Sequence, residues 1–141
     1  MTRILLGGGL AALFLALPGC GPGRSVVAGK VSYEDGTPVE DGSVIGEATV
    51  GGKMVAVQGT IRKDGSFTWG GDREADGALP GTYKVIVVPP SLSEYELDHG
   101  QRPAIDGKYG KYETSGLSLE VKPGKNEFNI TVSRPKDKKA K

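Results

Sequence analysis

This chain of 141 residues contains one cysteine, one histidine and one tryptophan, and aromatic residues make up only 6% of it. A lone thiol excludes an internal disulfide, a cysteine-based zinc cluster and a dithiol redox pair. No apolar run reaches the roughly 20 residues that a membrane-spanning helix needs. The longest, residues 4–17, is loosened by Gly7-Gly8-Gly9 and stopped by Pro18. Beyond residue 26 no stretch of ten or more residues places apolar positions at helical spacing, which argues against a helical domain. There is no Gly-x-Ser-x-Gly elbow. With Cys20 and His99 each alone of their kind, nucleophilic catalysis has little to work with, and the expectation is a noncatalytic protein.

What is there begins at the N-terminus. Arg3, the apolar run 4–17 and then Leu17-Pro18-Gly19-Cys20 have the layout of an export signal: a basic n-region, a short h-region and a small residue at the end. The segment resembles the lipobox of bacterial lipoproteins, with Leu17 at the third position before the cysteine and Gly19 just before it. That resemblance implies cleavage after residue 19, with Cys20 taking a diacylglycerol with palmitate-type chains as the first mature residue. An ordinary cleaved signal with a leftover thiol is the alternative. Residues 20–25 read as a lipidated tether, and at 3.3 to 3.6 Å per residue its reach is about 20 Å. Gly21 is not the aspartate associated with inner-membrane retention in some bacteria, which favours the outer membrane.

The charges nearly cancel, 18 Lys plus Arg against 17 Asp plus Glu, but they are unevenly placed. Residues 134–141 carry Arg134, Lys136, Lys138, Lys139 and Lys141 against Asp137, and read as a basic disordered tail. An exported chain meets no nucleic acid, so a partner for that tail would be membrane head groups or a cell-wall polymer.

Between these ends, residues 26–133 read as one domain. Alternation of apolar and polar residues predicts strands at 26–33, 43–50, 53–61, 66–69, 82–89, 117–121 and 127–132. The stretch 83–88 is the most continuously apolar and is expected to be central with both faces covered. The strands at 117–121 and 127–132 are expected to be antiparallel neighbours. Five of the eight aspartates precede glycine, which punctuates the chain with tight turns, and Asp64-Gly65 is the clearest hairpin. The expected architecture is therefore all-β, a single seven-stranded antiparallel sandwich, and a monomer.

Val27-Ala28-Gly29-Lys30-Val31-Ser32-Tyr33 followed by Asp35-Gly36-Thr37-Pro38-Val39, and Lys63-Asp64-Gly65-Ser66-Phe67 followed by Leu79-Pro80-Gly81-Thr82-Tyr83, resemble the opening of carboxypeptidase regulatory-like domains. Those domains share the transthyretin-like (prealbumin-like) sandwich. Lys108-Tyr109, Thr114-Ser115-Gly116-Leu117 and Glu120-Val121-Lys122-Pro123-Gly124 are similar to elements of a set of small bacterial lipoproteins. The resemblance implies a fold and an envelope location, and no catalytic residue.

Few residues stand out as sites. His99, between Asp98 and Gly100, lacks the three or four ligands of a zinc site and reads as an exposed loop residue. Asp72, Glu74 and Asp76 alternate in a glycine-rich loop that calcium could use, but without EF-hand spacing and with Arg73 among them they read as an acidic surface loop. No cofactor or metal is expected. Trp69, Tyr95, Tyr109 and Tyr112 are the aromatics that a glycan could stack on, although Trp69, at a strand end, reads rather as core. The connection 91–115 is long for a loop, and such loops are usually functional or disordered. It is the expected contact surface, or else a cover over an open sheet edge. Two functions remain: a structural or protein-interaction module on a membrane-anchored envelope lipoprotein, and a module that binds a polysaccharide or cell-wall polymer.

Overall fold

The computed structural model describes residues 23–71, 73 and 75–136. The leader, Cys20 and residues 137–141 lie outside the described residues. Within them the chain is an all-β sandwich with eight strands: β1 (Val26–Tyr33), β2 (Ser43–Val50), β3 (Lys53–Thr60), β4 (Ser66–Thr68), β5 (Gly81–Val88), β6 (Leu117–Val121), β7 (Lys125–Glu127) and β8 (Ile130–Val132). One sheet, in the order β3-β2-β5-β6, is antiparallel throughout. The other is built around β1, which takes β4 antiparallel on one side and β7 and β8 parallel on the other.

Alternation decides what each strand buries. Val27 and Val31 of β1, Phe67 of β4 and Ile130 and Val132 of β8 meet Val44 and Ala48 of β2, Val57 of β3, Tyr83, Val85 and Val87 of β5 and Val121 of β6. Each such valine removed from water contributes about 1.5 to 3 kcal/mol. Trp69 lies inside this layer, its ring 5.5 Å from Tyr83, 6.5 Å from Phe67 and 6.3 Å from Phe128. Its indole N–H donates to the Val44 carbonyl at 3.2 Å, so the one polar atom it buries is satisfied.

Three expectations are corrected. β5 is central in its sheet, but Thr82 and Lys84 are exposed while Tyr83, Val85 and Val87 are buried, so it is covered fully on one face only. The strands 117–121 and 127–132 are not neighbours: β6 pairs with β5, whereas β7 and β8 pair with β1 and run parallel to it. The Pro123-Gly124 turn therefore carries the chain from one sheet to the other. The last predicted strand is also two. Both pieces keep one register, Val26 opposite Lys125 and Val31 opposite Ile130, so no residue is inserted between them. The ladder is interrupted where the Phe128 carbonyl packs so close to Gly29 that a Cβ there would stand 1.8 Å from it. The Asn129 side chain then replaces a backbone acceptor, taking the Lys30 N–H at 3.1 Å.

The Asp-Gly turns at 35 and 64 share one construction. In each, the residue two before aspartate accepts the glycine N–H, Tyr33 from Gly36 at 2.9 Å and Arg62 from Gly65 at 2.8 Å. The aspartate carboxylate accepts the N–H two residues on, Thr37 at 2.9 Å and Ser66 at 3.0 Å. Glycine at φ of 85° and 81° makes the reversal at little steric cost. At Asp64-Gly65 the turn does not close a long hairpin: β4 pairs with β1, and the antiparallel contact back to β3 is a single bridge, Gln58 with Gly70.

Candidate contact surface

β1 spans the sandwich, about 25 Å for eight residues, and its two ends are built differently. At the start, Ser25 is buried and exchanges backbone hydrogen bonds with Ala78 at 2.7 and 2.9 Å. Arg24 donates to the Gly77 carbonyl at 3.3 Å and stands 3.9 Å from the Asp76 carboxylate. Contacts of the domain thus begin two residues before the expected boundary at residue 26. β5 starts three residues beyond Ala78, so it too runs away from this end.

At the other end of β1, Tyr33 donates through its hydroxyl to the Ala104 carbonyl at 3.2 Å. Arg134 lies 3.8 Å above the Tyr33 ring and 3.0 Å from the Asp35 carboxylate. The Asp35 pKa is lowered from its ordinary 3.8 to about 2, by the Thr37 N–H first and then by Arg134. Arg134 was expected to open a disordered tail. It is instead held by an ion pair and a cation-π contact, as a guanidinium beside a carboxylate and over a tyrosine face should be. Residues 89–104 leave from Val88 and return to Ala104, both at this far end, opposite Ser25.

The connection 91–115 divides into two parts. Its second part is pinned. Ile105 and Tyr109 are buried, the Asp106 N–H donates to the Ser133 carbonyl at 2.9 Å, and the 3-10 turn Gly107–Gly110 is capped by Asp106, which accepts the Lys108 N–H at 3.0 Å. The buried Ser115 hydroxyl donates to the Val85 carbonyl at 2.6 Å. The phenol of Tyr112 meets Glu47 and is raised in pKa, by burial first and then by that carboxylate. Glu47 stands between the buried Gly46 and Ala48, so by the strand pleat it faces away from the core. Tyr112 therefore lies over the outer face of the large sheet, while Ser115 sits at the β5 edge where β6 begins, between the Val85 carbonyl and the Leu117 N–H.

The first part stands free of the core. Helix α1 (Glu94–Asp98) buries none of its residues. It is organised by a capping box, in which the Ser93 N–H donates to the Glu96 carboxylate at 2.8 Å and the Glu96 N–H to the Ser93 hydroxyl at 3.3 Å. The Glu96 pKa is lowered, first by the Ser93 hydroxyl, which donates to its carboxylate at 2.6 Å, and then by the Ser93 N–H. His99 caps the other end: its N–H donates to the Tyr95 carbonyl at 3.1 Å, Nδ1 lies 2.7 Å from the same oxygen, and its ring is 3.9 Å from the Tyr95 ring. His99 is exposed, and Glu94, Glu96 and Asp98 all lie in the single turn of α1.

The four aromatics therefore do not share a surface. Trp69 is fully buried and offers no face to a sugar, Tyr109 is buried, Tyr112 is half-buried against Glu47, and Tyr95 alone is widely exposed, at 70%. Trp69, at a strand end, reads as core and is buried, whereas nothing in the sequence separates the three tyrosines, because their burial is set by which sheet each segment crosses. Of the acidic loop, Asp72 and Glu74 lie outside the described residues. Asp76 accepts the Gly71 and Arg73 N–H groups, and its pKa is lowered, chiefly by Gly71. No group of three His, Cys, Asp or Glu side chains is placed to hold a metal among the described residues.

An open groove of about 960 Å³ runs along the outer face of β1 beside Lys30, Asp64, Asn126 and Asn129. Its polar groups are largely committed within the protein. Asn126 donates to the Val26 and Lys122 carbonyls at 3.3 and 2.8 Å, Asn129 to the Glu127 carboxylate at 2.8 Å, and Asp64 accepts from Ser66. It does not present the few convergent polar groups that mark a small-molecule site.

No family model and no curated protein matches this chain. Among solved structures it is similar to a crystal structure of the major pilin subunit of Bacillus cereus, at 13% sequence identity and a TM-score of 0.46. The similarity covers 82% of this chain and 31% of the pilin, so the chain spans about a third of that protein's length.

Proposed function

We propose that this chain is a noncatalytic envelope lipoprotein, anchored through lipid on Cys20, whose sandwich serves as a structural or protein-interaction module. The observation that supports this best is the opposition of its two ends. Arg24 and Ser25, which follow the lipobox-like segment, are bonded to one end of the sandwich, and residues 91–104 emerge at the other. An anchor at Cys20 would leave the 91–104 arch facing away from the bilayer, where a partner could reach it. The tail from Arg134 starts at that far end as well, which disfavours contact with the anchoring membrane. The resemblance to carboxypeptidase regulatory-like domains is consistent with a module that recognises rather than reacts.

The test is metabolic labelling with a fatty acid. Wild type is expected to carry the label in the membrane fraction, and Cys20→Ser to lose it. Equal labelling of both would end the lipoprotein reading.

A further inference from the structure

Among the described residues the large apolar side chains left exposed are Val26, Met54, Tyr95 and Leu97, and two of these four belong to the five-residue helix α1. Tyr95 is 70% and Leu97 53% exposed. A helix this short is unstable by itself in water, and α1 gains nothing from burial. Its order comes from the Ser93–Glu96 capping box, the Tyr95–His99 ring contact and the return bonds from His99 and Gly100 to Tyr95 and Leu97. These hold an aromatic and an aliphatic side chain in water without using either to stabilise the core. Glu94, Glu96 and Asp98 surround them with negative charge, and no basic residue lies in the helix.

We propose that α1 is a pre-ordered docking knob, and that its partner is a protein presenting an apolar pocket rimmed by lysine and arginine. This rests on the reading of the chain as an interaction module and names the site and the partner's chemistry. Aromatic anchors seated in desolvated pockets supply most of the energy in protein interfaces. A knob already in its bound shape avoids part of the ordering cost. The acidic fringe selects the sign of the partner: a basic rim is attracted and oriented, whereas an anionic lipid surface is repelled.

The experiment uses the full chain in its producing cells, with a photo-reactive amino acid at position 97 and, in separate strains, at position 54 and at the exposed Glu113 of the pinned segment 107–115. Position 54 is a control at the tether end, where Met54 is 72% exposed. A protein captured from position 97 and not from 54, cross-linked through a Lys- or Arg-bearing segment, is the expected product. With that protein purified, Tyr95→Ala and Leu97→Ala should each weaken binding about tenfold or more. Glu94→Gln with Asp98→Asn should slow association and flatten its salt dependence. Capture from 113 without capture from 97 would overturn the knob and leave the interaction module standing. No protein captured from any position would overturn both. Equal capture from 54 and 97, capture of a glycan or lipid alone, or affinity unmoved by Tyr95→Ala would also sink the knob.

Discussion

Trp69 packs across the sandwich onto the backbone of Gly46. A Cβ at position 46 would stand 2.7 Å from Cη2 and 2.9 Å from Cζ2 of the indole. The glycine in β2 is thus a space for the largest side chain of the core, whose N–H reaches Val44 on the same strand. Gly46→Ala should force the ring or the strand to move and destabilise the domain by about 1 to 3 kcal/mol. Urea unfolding followed by the fluorescence of this single tryptophan measures it directly. An unchanged midpoint would show that the ring shifts freely.

Tyr109 and Tyr95 share a loop and should respond oppositely. Tyr109→Ala removes a buried ring and should cost about 3 kcal/mol or more. Tyr95→Ala removes an exposed one and should stay within about 0.5 kcal/mol. Thermal melts of the two variants compare them, and similar losses would mean that 91–104 is part of the core after all.

Ser115 is a small residue with a structural bond. Its hydroxyl donates to Val85 at 2.6 Å and accepts from Leu117 at 3.3 Å, so Ser115→Ala leaves a buried backbone carbonyl short of a partner. A loss of about 1 to 2 kcal/mol is expected. Faster amide exchange across 105–116, with β2 unchanged, is the local signature to look for.

Acid should weaken the fold through its turns. The carboxylates of Asp35 and Asp64 accept backbone N–H groups within their own turns, and Asp35 titrates near 2 rather than 3.8. A folded pKa below the unfolded one contributes stability that is complete above the unfolded value and is lost as pH falls through the folded one. The melting temperature should therefore be flat from pH 7 to about 5 and decline from pH 4 towards 2. Carboxyl NMR should place Asp35 near 2. Arg134→Ala should raise that midpoint only modestly, since Thr37 contributes the larger part; a full return to the ordinary value would reassign the cause.

Much of the architecture was legible because it rests on local chemistry. Strand positions followed from period-two alternation, and turns from Asp-Gly, whose carboxylate and glycine act within five residues. Trp69 at its strand end read as core, but Tyr95, Tyr109 and Tyr112 looked alike in sequence because each is an aromatic beside polar neighbours in one long loop. What separates them is distant: Trp69 lies opposite Gly46, Tyr112 meets Glu47, Tyr109 is covered, and Tyr95 meets only its own helix.

Sequence alone therefore determined that this chain is all-β, where its strands and turns fall, and that one cysteine follows an export-like segment. Tertiary structure decided which strands pair, that β7 and β8 run parallel to β1, and that residues 91–104 stand at the end opposite Ser25. Alternation records which side of a strand is apolar, but strand direction, partner and pole come from backbone hydrogen bonds between segments about a hundred residues apart, such as Val26 to Gly124 at 3.0 Å. No local pattern encodes a bond of that span.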